Sequence, residues 1–237
     1  MSKSLYLLDC YLKEWDAQVK SVSKGKYVVL DQTAFYPNSG GQPHDTGVMI
    51  TDDGEDYKVV YAGKFSGKIS HEVDKEGLKP GDKVQCKIDW DRRYKFMRYH
   101  TASHVVDKVI FDDCGADITG NQISLEKTRI DFSIPDFDRE KIKEYGERAN
   151  DIIQKNIPIE LELLPRDQAE EKYPHLFRLE KGFPDHIKQI RTVTLKGLDT
   201  QACGGTHVKN TSEIGTIEVF KVANKGKNNR RIYFKLI

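Results

Sequence analysis

Cysteine is scarce, long apolar runs are missing and charge of one sign is not in excess, and each shortage excludes something. Cys10, Cys86, Cys114 and Cys203 are the only four thiols in 237 residues. Spread so widely, they do not make the dense framework of a small secreted disulfide scaffold, so a reducing, cytoplasmic setting is expected. No apolar stretch approaches the roughly 20 residues of a membrane span. The N-terminal Leu5-Tyr6-Leu7-Leu8 is broken by Asp9 before it could form a signal-peptide core. Basic and acidic residues nearly cancel, 38 against 37. A polyanionic partner must therefore be met by a local patch and not by the net field. There is no internal repeat or low-complexity segment, and nothing implies a stable protein partner.

What is present divides the chain in two. From Ala17 to about Asp89, apolar residues fall in short β-type runs such as Tyr27-Val28-Val29-Leu30, Val48-Met49-Ile50, Val59-Val60-Tyr61 and Val84-Gln85-Cys86-Lys87-Ile88. Asp52-Asp53-Gly54, Gly63, Gly67 and Pro80-Gly81-Asp82 punctuate them. Many short strands separated by turn formers predict a small barrel or sandwich. The period then changes. Asp91 is a candidate cap for a helix running to about Phe111, with Met97, Val105 and Val109 among its apolar positions and Cys114-Gly115 as its stop. Ile142, Tyr145, Ala149 and Ile152 predict a second helix from about Asp138 to Lys155. After Pro158 alternation returns in Ile159, Leu161 and Leu163; residues 190–195, 215–222 and 232–236 are later strand candidates. The expected class is α+β: a small β-barrel-like module over residues 1–90, then an α+β domain over 91–237 with a mainly antiparallel sheet.

Two paired motifs carry chemistry. His100-Thr101-Ala102-Ser103-His104 puts two imidazoles on one face of the predicted helix. Cys203-Gly204-Gly205-Thr206-His207 repeats that four-residue spacing about 100 residues later, with glycines that let the backbone bend round a ligand. Each pair has an ordinary explanation alone: polar residues on a half-exposed helix face, and a small buried thiol. Together they make a His3Cys set suited to Zn2+ in softness and geometry. Four protein ligands ordinarily close a structural site, yet a chain with length for a core has little need of a staple. The alternative is a site with one weak ligand, or one where zinc accepts a fifth group; both stand here. The stretch from Thr33 to Gly47 reads equally well as a turn region of the β module or as a rigid Gly40-Gly41 bend that lets a substrate approach the backbone, with Thr33 and Gln42 as polar contacts. It lacks the Gly-Lys-Ser/Thr of a phosphate-binding loop.

Taken in order, Thr33-x-Phe35-Tyr36-Pro37-x-Ser39-Gly40-Gly41-Gln42-Pro43-x-Asp45-x-Gly47, His100-x-x-x-His104 and Asp199-x-x-x-Cys203-Gly204-Gly205-Thr206-His207-Val208 resemble the editing domain of alanyl-tRNA synthetase. The closer resemblance is to its free-standing relatives, the AlaX trans-editing proteins, and it runs from about Thr33 to the C-terminus. A glycine-rich motif with an N-terminal β module is similar to the medium-length type; an end at Ile237 is expected to leave no room for the longest type's extra domain. The resemblance implies Zn2+-dependent hydrolysis of the ester joining a wrong amino acid, chiefly serine with glycine second, to alanine tRNA. It also implies that His100, His104, Cys203 and His207 are the ligands, that Thr33 contacts the serine hydroxyl, and that Gln42, with Gly40 and Gly41, lies beside the ester. No aminoacylation is expected, because the editing region fills the chain and leaves no ATP-binding core.

The implied partner is mischarged tRNA-Ala. Two basic clusters are expected to meet its phosphates: Arg92, Arg93, Lys95 and Arg98, leading into the ligand helix, and Lys225, Lys227, Arg230 and Arg231 around a Gly/Asn turn. A chain with 32% charged residues also produces such clusters freely on its surface. Rival readings remain. A structural-zinc module that only binds RNA keeps the four ligands but does not need the Thr33–Gly47 stretch. An excised synthetase editing fragment need not hydrolyse the ester by itself. A zinc peptidase is expected to carry His-Glu-x-x-His, whereas Thr101 follows His100.

Overall fold

The computed structural model describes residues 2–135, 138–180, 184–226 and 228–237. The chain forms two compact units, Met1–Phe96 and Met97–Ile237. In the first, β1 (Lys3–Ser4) pairs in parallel with β4 (Gln32–Thr33). β2 (Glu14–Ser23), β3 (Tyr27–Leu30), β5 (Gly47–Thr51), β6 (Asp56–Phe65), β7 (Lys68–Val73) and β8 (Lys83–Ile88) close a barrel in the order β2-β3-β7-β6-β5-β8. Every pairing around it is antiparallel. The sequence folds this way because its strands alternate. Lys83, Gln85 and Lys87 of β8 face water while Val84, Cys86 and Ile88 are buried, which is the period-two pattern of a sheet with one face on a core. Trp15, Val28, Leu30, Phe35, Met49, Tyr57 and Val59 fill the same core, and closure leaves no open sheet edge.

The unit boundary falls inside α1 (Trp90–Cys114), between Phe96 and Met97. The helix starts one residue before the expected cap. Asp89 accepts from the Arg92 N–H at 3.2 Å, and Asp91 lies in the first turn. Gly115, at φ +65°, ends the helix. From Thr101 to Asp107 every residue of α1 is buried, so the middle of the helix is covered on all sides.

In the second unit, β9 (Ile118–Ile123), β10 (Thr128–Phe132), β14 (Ile217–Asn224) and β15 (Arg230–Leu236) form an antiparallel sheet in the order β14-β15-β10-β9. β11 (Ile159–Pro165), β12 (Gln189–Leu195) and β13 (Asp199–Ala202) form a second antiparallel sheet. α2 (Arg139–Ile153) packs on β14. Its cap, Asp138, accepts from the N–H groups of Glu140 and Lys141 at 2.9 and 3.1 Å, an arrangement worth about 1 kcal/mol. α3 (Arg166–Lys172) is short and mostly polar. The class is α+β, as the sequence predicts. The β9–β10 hairpin, α3 and β13 are elements that apolar periodicity did not reveal.

Candidate metal centre

α1 places His100 and His104 on one face, and the loop after β13 brings Cys203 and His207 to them. The four candidate ligand atoms all lie within 4.8 Å of one another. Cys203 Sγ is 3.5 Å from His100 Nε2 and 3.4 Å from His207 Nε2. A tetrahedral ion with ordinary Zn–S and Zn–N lengths would set such an S···N pair about 3.6 Å apart. The donor set therefore fits zinc in kind and in spacing.

The loop is built to lie against the imidazoles. A Cβ on Gly205 would fall 2.0 Å from His100 Cε1, so any side chain there would displace the ring. Arg191 of β12 donates to the carbonyls of Cys203 and Gly205 at 2.7 and 2.8 Å, fixing both sides of the bend. The Gly205 N–H points at Cys203 Sγ, 3.3 Å away. Thr101 fixes the remaining ring. Its hydroxyl donates to the Met97 carbonyl at 2.9 Å and accepts from the Val208 N–H at 3.2 Å. The hydrogen being spent, the contact to His207 Nδ1 at 3.2 Å must be Nδ1–H donating to the oxygen. That assigns the proton to Nδ1 and leaves the Nε2 lone pair toward Cys203.

Electrostatics favour the ligand form of all three rings. Burial, reinforced by the charge of neighbouring imidazoles and Arg191, lowers the pKa values of His100 and His207 well below the ordinary histidine value. Burial, then Arg178 and Arg191, lowers that of His104 to about 3. A neutral imidazole has a lone pair to give. His104 Nδ1 is buried with no hydrogen-bond partner among the described residues.

A second buried cluster ties the two halves of the centre together, and only part of it was visible in the sequence, through Asp199. Asp107 follows His104 by three residues on α1; Asp199 and Gln201 sit on β13 ahead of Cys203. Gln201 Nε2 donates to Asp107 Oδ2 at 2.9 Å and to Asp199 Oδ2 at 2.7 Å. Arg178 Nη1 reaches Asp107 at 3.2 Å and Asp199 at 3.1 Å, and its Nη2 also binds Asp199. The Arg178 guanidinium lies 4.1 Å from the Phe111 ring centroid. Burial pushes the Asp107 carboxyl up to about 7, against the pull of Arg178 and with a further push from Asp199.

The glycine-rich stretch belongs to the first unit. Ser39 and Gln42 exchange backbone hydrogen bonds at 3.2 and 2.9 Å across Gly40 and Gly41, whose φ values are +55° and +81°. Two successive positive φ angles define a type I′ hairpin turn, which glycine takes at little cost. Tyr36 braces it: its hydroxyl donates to the Ser39 carbonyl at 3.1 Å, and its N–H donates to Asp45 at 2.6 Å. Gln42 is buried. Thr33 is wholly buried too, and its hydroxyl is engaged. Burial lowers the His71 pKa to about 4, so the ring is neutral near pH 7. Its Nδ1–H is taken by the Val28 carbonyl at 2.9 Å, so Nε2 must accept from the Thr33 hydroxyl, also 2.9 Å away. The Thr33 oxygen in turn accepts from the Phe35 N–H at 3.1 Å.

The expected phosphate contacts separate into different kinds. Arg93 is wholly buried, paired with Asp45 and donating to the carbonyls of Cys10 and Ala34. It is a strut inside the first unit, which corrects its assignment to the RNA surface. Arg230 needs the same correction. Only 5% exposed, it binds Asn224 Oδ1 and the carbonyls of Gly226, Asn229 and Pro135, so it shapes the β14–β15 turn. Arg231 forms a two-pronged pair with Asp131 at 2.6 and 2.8 Å. Arg92 is half-buried and donates to the His44 carbonyl at 3.1 Å. Lys225 is exposed; Lys227 lies outside the described residues.

Comparison with known proteins identifies the class first. Residues 190–233 match the family model of the threonyl and alanyl tRNA synthetase second additional domain, and residues 7–92 match that of the class II (A) tRNA synthetases. At the level of whole chains the likeness narrows. The sequence is 54% identical to the alanyl-tRNA editing protein AlaX-M of Methanosarcina mazei, over 100% of this chain and 97% of the relative. It is 53% identical to AlaX-M of Methanosarcina barkeri over 100% of both chains. It is also 39% identical to the alanine–tRNA ligase of Pyrococcus furiosus, over 98% of this chain but 26% of the ligase. The chain belongs to the AlaX-M family of alanyl-tRNA editing proteins. No described helix is long and apolar enough to cross a membrane.

Proposed function

We propose that this protein is a deacylase that hydrolyses the ester of alanine tRNA charged with the wrong amino acid, chiefly serine and secondarily glycine, in the cytoplasm. The observation that carries the reading is the convergence of His100, His104, Cys203 and His207 in a chain similar over its full length to alanyl-tRNA editing proteins. When bound there, Zn2+ would supply Lewis acidity toward an ester carbonyl or a water molecule. An aminoacyl ester is already activated, so no covalent nucleophile is required.

The remaining roles fall to this chain's own side chains. Thr33 gives its hydrogen to His71 and one lone pair to Phe35, which leaves one lone pair to accept from a serine hydroxyl. A site built to bond a hydroxyl discriminates strongly against the analogue that lacks one, which is how alanine would be spared. The Gly40-Gly41 turn lets the backbone approach the substrate, and Gln42 orients the ester. The division of labour follows the sequence, with the glycine-rich motif in residues 1–90 and the metal ligands in 91–237. Arg92, Lys95, Arg98, Lys225, Lys227 and Arg231 are the remaining candidates for phosphate contact.

One observation favours a second reading. Four protein ligands complete a tetrahedron, as in a structural zinc site, and an RNA-binding module would need no more. Single-turnover deacylation of serine- and alanine-charged tRNA-Ala separates the two. The editing reading expects hydrolysis of the serine ester, sparing of alanine, and a Gln42→Ala variant slowed at saturating tRNA far more than its binding is weakened. A wild-type protein that binds tRNA and leaves the serine ester intact would establish the module instead.

A further inference from the structure

The four-stranded sheet of the second unit turns one face inward and leaves the other to solvent. Ile130, Ile232 and Phe234 are buried on the inner face; alternation puts Arg129, Arg231 and Tyr233 on the outer one. The register is continuous across all four strands: Lys221 opposes Tyr233, Tyr233 opposes Arg129, and Arg129 opposes Gln122. One row therefore reads cation, aromatic ring, cation, amide. Lys221 Nζ stands 5.4 Å from the Tyr233 ring centroid.

A bulge adds to this row. The β14–β15 register shifts between Val219 and Lys221, so Phe220 is the extra residue, and bulges commonly re-aim a side chain. Its ring lies 6.1 Å from that of Tyr233, and 43% of the residue remains exposed. The acids of this face are already neutralised: Asp131 by Arg231, and Glu218 by Lys235 at 3.0 Å. Lys221 and Arg129 have no ion-pair partner among the described residues, and Arg129 Nε makes no hydrogen bond there. Exposed Lys225 adds a further cation at the end of β14.

We propose that this face is a stacking platform for unpaired RNA nucleotides, with a base on Phe220 and Tyr233 and flanking phosphates on Lys221 and Arg129. Two aromatic rings between uncompensated cations suit a ligand that alternates flat π-faces with negative charge. An RNA duplex offers the charge but keeps its base faces stacked inside. The proposal rests on the editing reading only for the source of the RNA, a tRNA.

The test uses the full chain and two labelled probes, an eight-nucleotide single-stranded RNA and a blunt duplex of equal charge. Phe220→Leu keeps an exposed apolar side chain and removes the π-face, so it isolates stacking from folding. It is expected to weaken single-strand binding roughly 5- to 150-fold, the equivalent of about 1–3 kcal/mol per stacked base, and to leave duplex binding unchanged. Arg129→Gln should lower the slope of log affinity against log salt by about 0.7, the share of one single-strand phosphate. Unchanged single-strand affinity in Phe220→Leu, or equal losses for both probes, would overturn the platform. If the variant loses single-strand binding while the wild type hydrolyses no aminoacyl ester, the platform stands and the editing reading falls. If the wild type edits and Phe220→Leu binds normally, the reverse holds.

Discussion

The Thr33 hydroxyl serves two protein partners before any substrate arrives, giving its hydrogen to His71 and receiving one from Phe35. Thr33→Val keeps the shape and removes both bonds. Leaving a buried donor and a buried acceptor unpaired costs about 1–3 kcal/mol each in the unfavourable case, so the variant should unfold at lower denaturant. Its folded fraction should deacylate serine-charged tRNA with a barrier raised by about 1–2 kcal/mol and an unchanged metal content. Normal serine hydrolysis by the folded variant would remove Thr33 from the pocket. His71 makes the same region sensitive to acid. Burial holds its folded pKa at about 4, against about 6.5 in an unfolded chain. The unfolded state thus takes up the proton first. The stabilising contribution is complete above pH 6.5 and is lost as pH falls to about 4, amounting to about 3 kcal/mol. Urea unfolding of wild type and His71→Gln from pH 7 to 4.5 checks this: the wild type should show the steeper decline. Equal slopes would mean that His71 is not buried as a neutral ring.

At the scale of elements, legibility in the sequence followed burial on one face. The barrel strands are legible as short apolar runs divided by Gly, Pro and Asp turns, and in β8 the buried and exposed residues alternate as well. α2 was also legible, though the residue that closes its buried stripe is Ile153 and not Ile152. The reason is geometric: at 100° per residue, position 153 returns to within about 20° of Ile142, while 152 falls about 80° away. α1 is different. Because its middle is covered on all sides, polar and apolar residues alike are buried from Thr101 to Asp107, and its ends were legible from the aspartate at its start and the Cys114-Gly115 stop, not from an amphipathic pattern. β9 is half-exposed over most of its length and gives no alternation to find. The cluster that ties α1 to β13 rests on Arg178, which neutralises two carboxylates. Arg178→Met should destabilise the protein by about 3–5 kcal/mol, because it strands buried charge. Asp107→Asn should cost far less, and at pH 8 it should be neutral or stabilising, since burial already holds that carboxyl's pKa up at about 7. Denaturation curves of both variants at pH 8 decide it; an equal loss would mean that Asp107 carries the cluster.

Over the whole molecule, the candidate metal centre draws on two motifs separated by most of the second unit. One zinc per chain is expected by elemental analysis. Cys203→Ala combined with His207→Ala should reduce it to near zero, and a chelator should lower the thermal midpoint of the wild type, because a site absent from the unfolded chain contributes its binding energy to folding. Full zinc retention by the double variant would place the metal elsewhere. The sequence alone determined the types of the four candidate ligands, the run of short strands and the α+β class, since side-chain chemistry and hydrophobic period are local properties; closure of those strands into a barrel was decided by tertiary pairing. The family likeness rested on short motifs in a fixed order, and these too are local. Tertiary structure decided what depends on partners distant in the chain. It brought Cys203 to His100 across 103 residues. It buried Arg93 against Asp45, 48 residues away, and Arg178 against Asp107, 71 residues away. An arginine in a string of letters reads as a surface charge. Whether it meets a phosphate or an internal carboxylate is settled only when folding takes it out of water, where an unpaired charge is too costly to leave and the partner must already be in place.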